Sequence, residues 1–176
     1  MSGSRRILVM GVSGSGKTHV GRLLAERLGI DFIDGDHHHA PASIDKMARG
    51  IPLTDADRLG WLETLAGFFD HYRRRDASVV IGCSALKRHY REILRRGDPA
   101  LEILYLQGSR DQVRERLASR EGHFFKGDAM LDSQFADLEP PESEEALALD
   151  ISANPERLVA EFLHRKGLAD SLHRDV

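Results

Sequence analysis

"GVSGSGKT", residues 11–18, lies between the apolar run Ile7-Leu8-Val9-Met10 and a segment with apolar positions at Val20, Leu23, Leu24 and Leu28. The first flank has the length of a buried strand, and the second has helical spacing. The stretch between them fits G-x-x-x-x-G-K-[ST], a phosphate-binding loop in its required setting of strand, loop and helix. Gly11, Gly14 and Gly16 permit backbone angles that a Cβ hinders. The successive N–H groups along Ser13, Gly14, Ser15, Gly16 and Lys17 can then turn inward around phosphate oxygens. The N-terminus of the following helix adds a favourable partial charge. Lys17 supplies a positive charge to the β- and γ-phosphates, and the Thr18 hydroxyl suits a Mg²⁺ ligand position. ATP and Mg²⁺ are therefore the expected cofactors.

Outward from this loop, strands and helices alternate. Strands are expected at Arg5–Met10, Asp31–Ile33, Ser78–Ile81, Leu101–Leu106 and Leu147–Ile151. Helices are expected at Pro41–Arg49, Asp55–Arg75, Ala85–Arg96, Arg110–Arg120 and Pro155–Arg165, the second capped by Thr54 or Asp55. The alternation predicts an α/β three-layer domain with a five-stranded parallel sheet and its site at the carboxyl ends of the strands. One domain over residues 1–176 is expected, with two segments that a minimal fold does not need. These are residues 41–75, a candidate substrate-binding insertion, and residues 121–141, a candidate lid.

Composition narrows the class. Apolar residues make up 41% of the chain and charged residues 30%, as in an ordinary globular protein. The net charge of −3 demands neither nucleic acid nor an anionic membrane as partner. No apolar stretch approaches the ~18 residues of a membrane span. The single cysteine, Cys83, rules out an intrachain disulfide and suits a reducing cytoplasm. It follows an apolar run and reads as a small buried residue. The only asparagine is Asn154, so an Asn-Lys-x-Asp guanine-binding motif is absent.

Acids for the metal and the acceptor are expected after the second strand. The third and fourth strands end in Gly82-Cys83-Ser84 and Gln107-Gly108, without a carboxylate. The second ends in Asp34-Gly35-Asp36. Asp34 is assigned to the metal. Asp36 is assigned to the acceptor hydroxyl, whose proton it can accept. The run His37–His39 cannot turn all three rings to one ion, and no partners follow at zinc spacing; one of the three pointing into the substrate site is the better reading. Basic groups gather in three places: Lys46, Arg49 and Arg58; Lys87, Arg88 and Arg91; and Arg110, Arg114, Arg116, Arg120 and Lys126. Lys87 and Arg91, four apart, would share a helix face and could hold an anionic substrate. Arg116 and Arg120 lead into "EGHFFK" and suit nucleotide phosphates and the transition state.

The stretches "MGVSGSGKT", "FIDGDHHH", "IDKMARGIPLTDADRLGWL", "CSALKRHYR", "ILYLQG", "RLASREGHFFK" and "LDSQFADLEPP" occur in that order over about residues 7–151. Together they resemble the gluconate kinases, whose fold is similar to that of shikimate and nucleoside monophosphate kinases. The resemblance implies transfer of the γ-phosphoryl of ATP to the 6-hydroxyl of D-gluconate, giving 6-phosphogluconate. It also implies a cytoplasmic, often dimeric enzyme. It makes Lys17, Asp36 and Arg120 catalytic, and extends the substrate set to Asp36, His39, Lys46, Arg58, Lys87, Arg91, His123 and Gln134. The chain departs from the family pattern at Ala40, where proline is usual, and at Ser43, where asparagine is usual. Both lie in the first insertion. Two alternatives stay open: a kinase for another small hydroxy acid such as shikimate, and a nucleotide-binding regulator without catalysis.

Overall fold

The computed structural model describes residues 3–121 and 127–168. Five strands form one wholly parallel sheet: β1 Arg6–Met10, β2 Asp31–Asp34, β3 Val79–Gly82, β4 Glu102–Gln107 and β5 Leu147–Asp150. Their spatial order is β2-β3-β1-β4-β5. The helices are α1 Lys17–Leu28, α2 Pro41–Ala48, α3 Asp55–Arg74, α4 Arg88–Arg95, α5 Arg110–Glu121, α6 Asp128–Asp137 and α7 Pro155–Arg165. The three-layer α/β expectation and the five parallel strands hold. Among the described residues, no helix is long and apolar enough to cross a membrane.

The central strand shows why the sheet is covered on both faces. Successive side chains of a strand point to opposite sides. Ile7 and Val9 accordingly pack with Val20 and Leu24 of α1 and Phe162 of α7. Leu8 and Met10 pack with Leu62, Leu65 and Phe69 of α3 and with Ile93 and Leu94 of α4. A strand buried on both faces reads as an unbroken apolar run, which is how the first strand was legible.

Register fixes where the site lies. Val9 is level with Gly82, and Gly82 is level with Asp34. The ends of β1, β3 and β2 therefore form one row. Beyond it, Cys83 N–H donates to the Val9 carbonyl at 3.0 Å, and Gly11 N–H donates to the Ser84 carbonyl at 3.3 Å. The phosphate loop and the Asp34–Asp36 turn thus leave the sheet at the same edge with one strand between them.

Two local features differ from the sequence reading. The basic helix was expected from Ala85, but Ala85 has φ +48°, and Lys87 is the extended residue that precedes α4. Lys87 and Arg91 therefore do not share a helix face. The segment 122–141 carried no expected helix, yet α6 occupies Asp128–Asp137. It is short and nearly without an apolar stripe; Leu131 is its one buried residue. Helical periodicity gives little warning of such an element.

Candidate active site

Gly16 precedes α1 with φ +98°, a left-handed angle that glycine adopts freely, and Lys17 opens the helix. Lys17 is buried, and its Nζ donates to the Val12 carbonyl at 3.1 Å across the loop. Burial pushes its ammonium pKa down, while the charges of Asp36 and Asp34 pull it back up. One residue on, Thr18 Oγ1 donates to Asp34 Oδ2 at 3.3 Å. The two residues assigned to the metal from the sequence therefore stand together.

The Asp34-Gly35-Asp36 turn is a single 3₁₀ turn, Gly35–His38, capped by Asp34, whose Oδ1 accepts from the Asp36 N–H at 3.0 Å. Gly35 is required by space: a Cβ there would lie 2.3 Å from the Gly82 carbonyl oxygen. Trp61 Nε1 donates to the Gly35 carbonyl at 2.7 Å, tying the turn to α3. The Asp36 side chain is left exposed, and its charge acts on Lys17, His39 and Cys83. Cys83 is fully buried with its thiol pushed up to about 12, chiefly by burial, so it stays protonated and inert.

Of the three histidines, His39 stacks on Trp61, with ring centroids 3.9 Å apart and planes 22° apart. Its Nδ1 is buried and has no hydrogen-bond partner among the described residues. Burial lowers its pKa, opposed by Asp36 and reinforced by Arg58, so the ring is held neutral at pH 7. A neutral imidazole with an unused nitrogen beside Asp36 can hydrogen-bond a hydroxyl compound. His38 instead packs edge-on against Phe68, and His37 reaches toward Asp34 at 3.7 Å.

The expected anion-binding cations divide. Arg58, on α3, donates to Tyr90 Oη at 2.8 Å and to Asp137 at 3.1 Å. Lys87 Nζ donates to Asp55 at 2.9 Å, and Lys46 Nζ holds Asp57 at 2.9 Å. Arg58 is near His39, since its charge acts on that ring. Arg91 does not belong with them. Its side chain is wholly buried, and its guanidinium donors meet Glu145 Oε1 and Oε2 and the carbonyls of Ala85, Leu86 and Glu139. A guanidinium has five N–H donors, and here all five are engaged. Arg91 is a structural anchor between α4 and the chain after α6; the expectation that it binds substrate is corrected. Glu145 would keep its bond to Arg95 at 2.9 Å, but Arg91→Ala leaves the Ala85, Leu86 and Glu139 carbonyls without this donor and is expected to cost about 3 kcal/mol of stability. Chemical denaturation would measure this, and KM for the acceptor should stay unchanged in the folded enzyme.

Gln134 also lies elsewhere than expected. Its Oε1 accepts from Ser13 N–H at 2.6 Å, and its Nε2 donates to Ser13 Oγ at 2.8 Å. It rests on the phosphate loop and not among the substrate cations. Arg116 of α5 lies over that same loop, donating to the carbonyls of Ser15 and Ile151. Together with Ser119, Arg120, Asn154 and Pro155 it lines an open groove between α5 and the β5–α7 loop. The contribution of that loop was missed from sequence because no charged or motif residue marks it. Arg120 is exposed on this groove, at the end of α5. His123 and residues 122–126 of the expected lid lie outside the described residues.

Comparison with known proteins follows the same lines. A family model described as "AAA domain" matches residues 7–141. A thermoresistant gluconokinase of Escherichia coli (strain K12) is 44% identical over 155 residues, covering 87% of this chain and 88% of that protein. The solved structure of a gluconokinase from Sinorhizobium meliloti 1021 aligns with a TM-score of 0.81 at 41% identity, over 93% of this chain and 92% of that one. An unliganded sugar kinase from Janibacter sp. HTCC2649 aligns with a TM-score of 0.86 at 42% identity, over 94% and 96%.

Proposed function

The chain belongs to the gluconokinase family, and from that premise we propose that it transfers the γ-phosphoryl group of ATP to the 6-hydroxyl of D-gluconate, giving 6-phosphogluconate and ADP. The observation that supports this most directly is the row formed by the ends of β1, β3 and β2. It brings the phosphate loop and Asp36 to one edge, with Arg58 and His39 beside them.

In this reading the triphosphate lies on the amides from Ser13 to Thr18, with Lys17 on the β- and γ-phosphates. The gluconate carboxylate meets Arg58 and Lys87, with Lys46 nearby, and His39 takes a hydroxyl of the polyol. Asp36 holds the 6-hydroxyl in line with the γ-phosphorus. The hydroxyl oxygen bonds to that phosphorus, and the bond from phosphorus to the β–γ bridging oxygen breaks. ADP leaves with the electron pair, and the hydroxyl proton passes to Asp36 Oδ. Arg116 and Arg120 stand on the nucleotide side, where developing charge on the phosphoryl oxygens needs cations.

The residues fit Mg²⁺. This ion is usually held by one or two carboxylates plus substrate phosphates, and the adjacent Thr18 and Asp34 make a donor set of that size. When bound, it neutralises charge on the β- and γ-oxygens. Gln134 serves the phosphate loop in this reading. A single domain with its acceptor insertion at about 41–75 and a lid at about 121–141, a homodimer, and a cytoplasmic location complete the proposal.

ADP release tests it. Release should require D-gluconate and Mg²⁺, and shikimate should not substitute. Release with shikimate alone would favour a different hydroxy-acid kinase, and none with any acceptor would favour a silent nucleotide-binding protein.

A further inference from the structure

Tyr90 lies on α4 with its side chain almost wholly buried, packed in the apolar cluster beneath α3. Its ring needs no hydroxyl for that packing; phenylalanine would fill the same space. The hydroxyl instead sits at a junction of charges. It accepts from Arg58 Nη1 at 2.8 Å and donates to Asp55 Oδ1. The same Asp55 oxygen accepts from Lys87 Nζ at 2.9 Å. Both cations also lie over the Tyr90 ring, Arg58 at 5.4 Å and Lys87 at 5.7 Å from its centroid. One buried side chain therefore touches both cations and the carboxylate that holds Lys87.

We propose that Tyr90 is a positioning residue for acceptor specificity, its hydroxyl fixing Arg58 directly and Lys87 through Asp55 so that both are set to receive one carboxylate. The proposal rests on the reading of Arg58 and Lys87 as the acceptor's anion site.

Geometry on Arg58 supports it. The bonds to Tyr90 and Asp137 both leave from Nη1. Among the described residues, the edge formed by Nε and Nη2 makes no hydrogen bond. A guanidinium binds a carboxylate through two parallel N–H bonds along one edge. Holding the guanidinium at one nitrogen leaves its Nε–Nη2 edge for the ligand. Arg and Lys side chains are rich in rotamers, and ordering them at the moment of binding weakens affinity. A network that orders them beforehand removes that loss. The phenol keeps its proton for the bond to Asp55, since burial and the neighbouring carboxylate both raise its pKa.

Tyr90→Phe keeps the ring and deletes only the network's centre. KM for gluconate is expected to rise about 10-fold, the scale of a hydrogen bond to a charged group, while kcat and KM for ATP stay near wild type. The same substitution in an Arg58→Ala background should add clearly less than 10-fold, because only the hold on Lys87 through Asp55 is left to lose. If Tyr90→Phe fails to fold, Asp55→Ala, on a side chain 60% exposed, tests the network from its solvent side and should raise KM for gluconate several-fold. A full 10-fold effect of Tyr90→Phe persisting without Arg58 would overturn the proposal. So would an unchanged KM in Tyr90→Phe and Asp55→Ala when Arg58→Ala alone raises it. If Arg58→Ala leaves KM for gluconate unchanged, the anion-site reading fails and takes the proposal with it.

Discussion

Asp36→Asn is expected to lower kcat by on the order of 10²-fold or more, the scale of lost proton acceptance and positioning. KM for ATP should change little, because the proposed role of Asp36 is at the acceptor hydroxyl and not at the nucleotide. The substitution is isosteric, and the side chain is exposed. The turn itself is held by backbone contacts: the Asp36 N–H to Asp34 and the Gly35 carbonyl to Trp61. Unfolding free energy should therefore stay near wild type, so lost activity would report chemistry. A second readout uses the field of the carboxylate. Asp36 holds up the pKa of His39 against burial. With its charge removed, the His39 imidazole should titrate at still lower pH, which NMR can follow in the ligand-free protein. Turnover near wild type would remove Asp36 from the mechanism. Lost turnover with an unmoved His39 titration would show that the carboxylate does not face the pocket that His39 lines.

The features legible in the sequence are those whose physics is local. The apolar strand, the glycine spacing and Lys17-Thr18 lie within a dozen residues, and one loop geometry accounts for all of them. Asp34-Gly35-Asp36 was legible because the third and fourth strands end without a carboxylate. The misread features depend on pairing across the fold. Arg91 has the spacing of a surface cation, and only the approach of Glu145, 54 residues later, shows that it faces inward. Gln134 meets Ser13 from 121 residues away. Thr54 was readable as a cap of α3, and it forms a capping box with Asp57. The role of Asp55 and Asp57 as partners of Lys87 and Lys46 depends on how the insertion folds back. Tyr90 lay in plain view within "CSALKRHYR", but an aromatic at that spacing is indistinguishable from core until its hydroxyl is seen among the charges.

Those pairings alter the picture of the proposed acceptor site. From sequence, Lys46, Arg58 and Lys87 were bare positive charges. Each in fact stands beside an aspartate: Asp57, Asp137 and Asp55 respectively. The three pairs balance one another, and Asp34 and Asp36, only one of which Lys17 can offset, leave the region net negative before any ligand enters. Long-range attraction for anions is then weak, and recognition of a carboxylate must come from donor geometry at short range. Selectivity should accordingly depend little on ionic strength and strongly on where each donor points.

Lys17→Met is expected to lower kcat/KM by about 10³-fold, the upper range for loss of one preorganised group that meets transition-state charge, and yet to stabilise the ligand-free protein. The two effects share a cause. The Lys17 ammonium is buried and, among the described residues, has only the Val12 carbonyl as its hydrogen-bond acceptor. Desolvation dominates the downward push on its pKa, so the nearby carboxylates compensate the buried charge only in part. A bound triphosphate supplies the missing negative charge. Methionine fills a similar volume without a charge, and removing an under-compensated buried cation should stabilise the empty fold by roughly 1 kcal/mol. The pH dependence follows from the direction of the shift. The folded pKa lies below the ordinary 10.5, so between the two the unfolded chain binds the extra proton. Wild-type stability must then rise with pH through that window relative to Lys17→Met. The gap between the proteins should be widest below the folded pKa and close as pH approaches 10.5. Thermal denaturation across that range measures it. Added ATP should reverse the order at neutral pH by stabilising the wild type, whose loop can hold the phosphates, far more than the variant. A variant less stable than wild type without ligand would show that Lys17 is fully compensated in the empty loop and that its charge contributes to folding as well as to phosphoryl transfer.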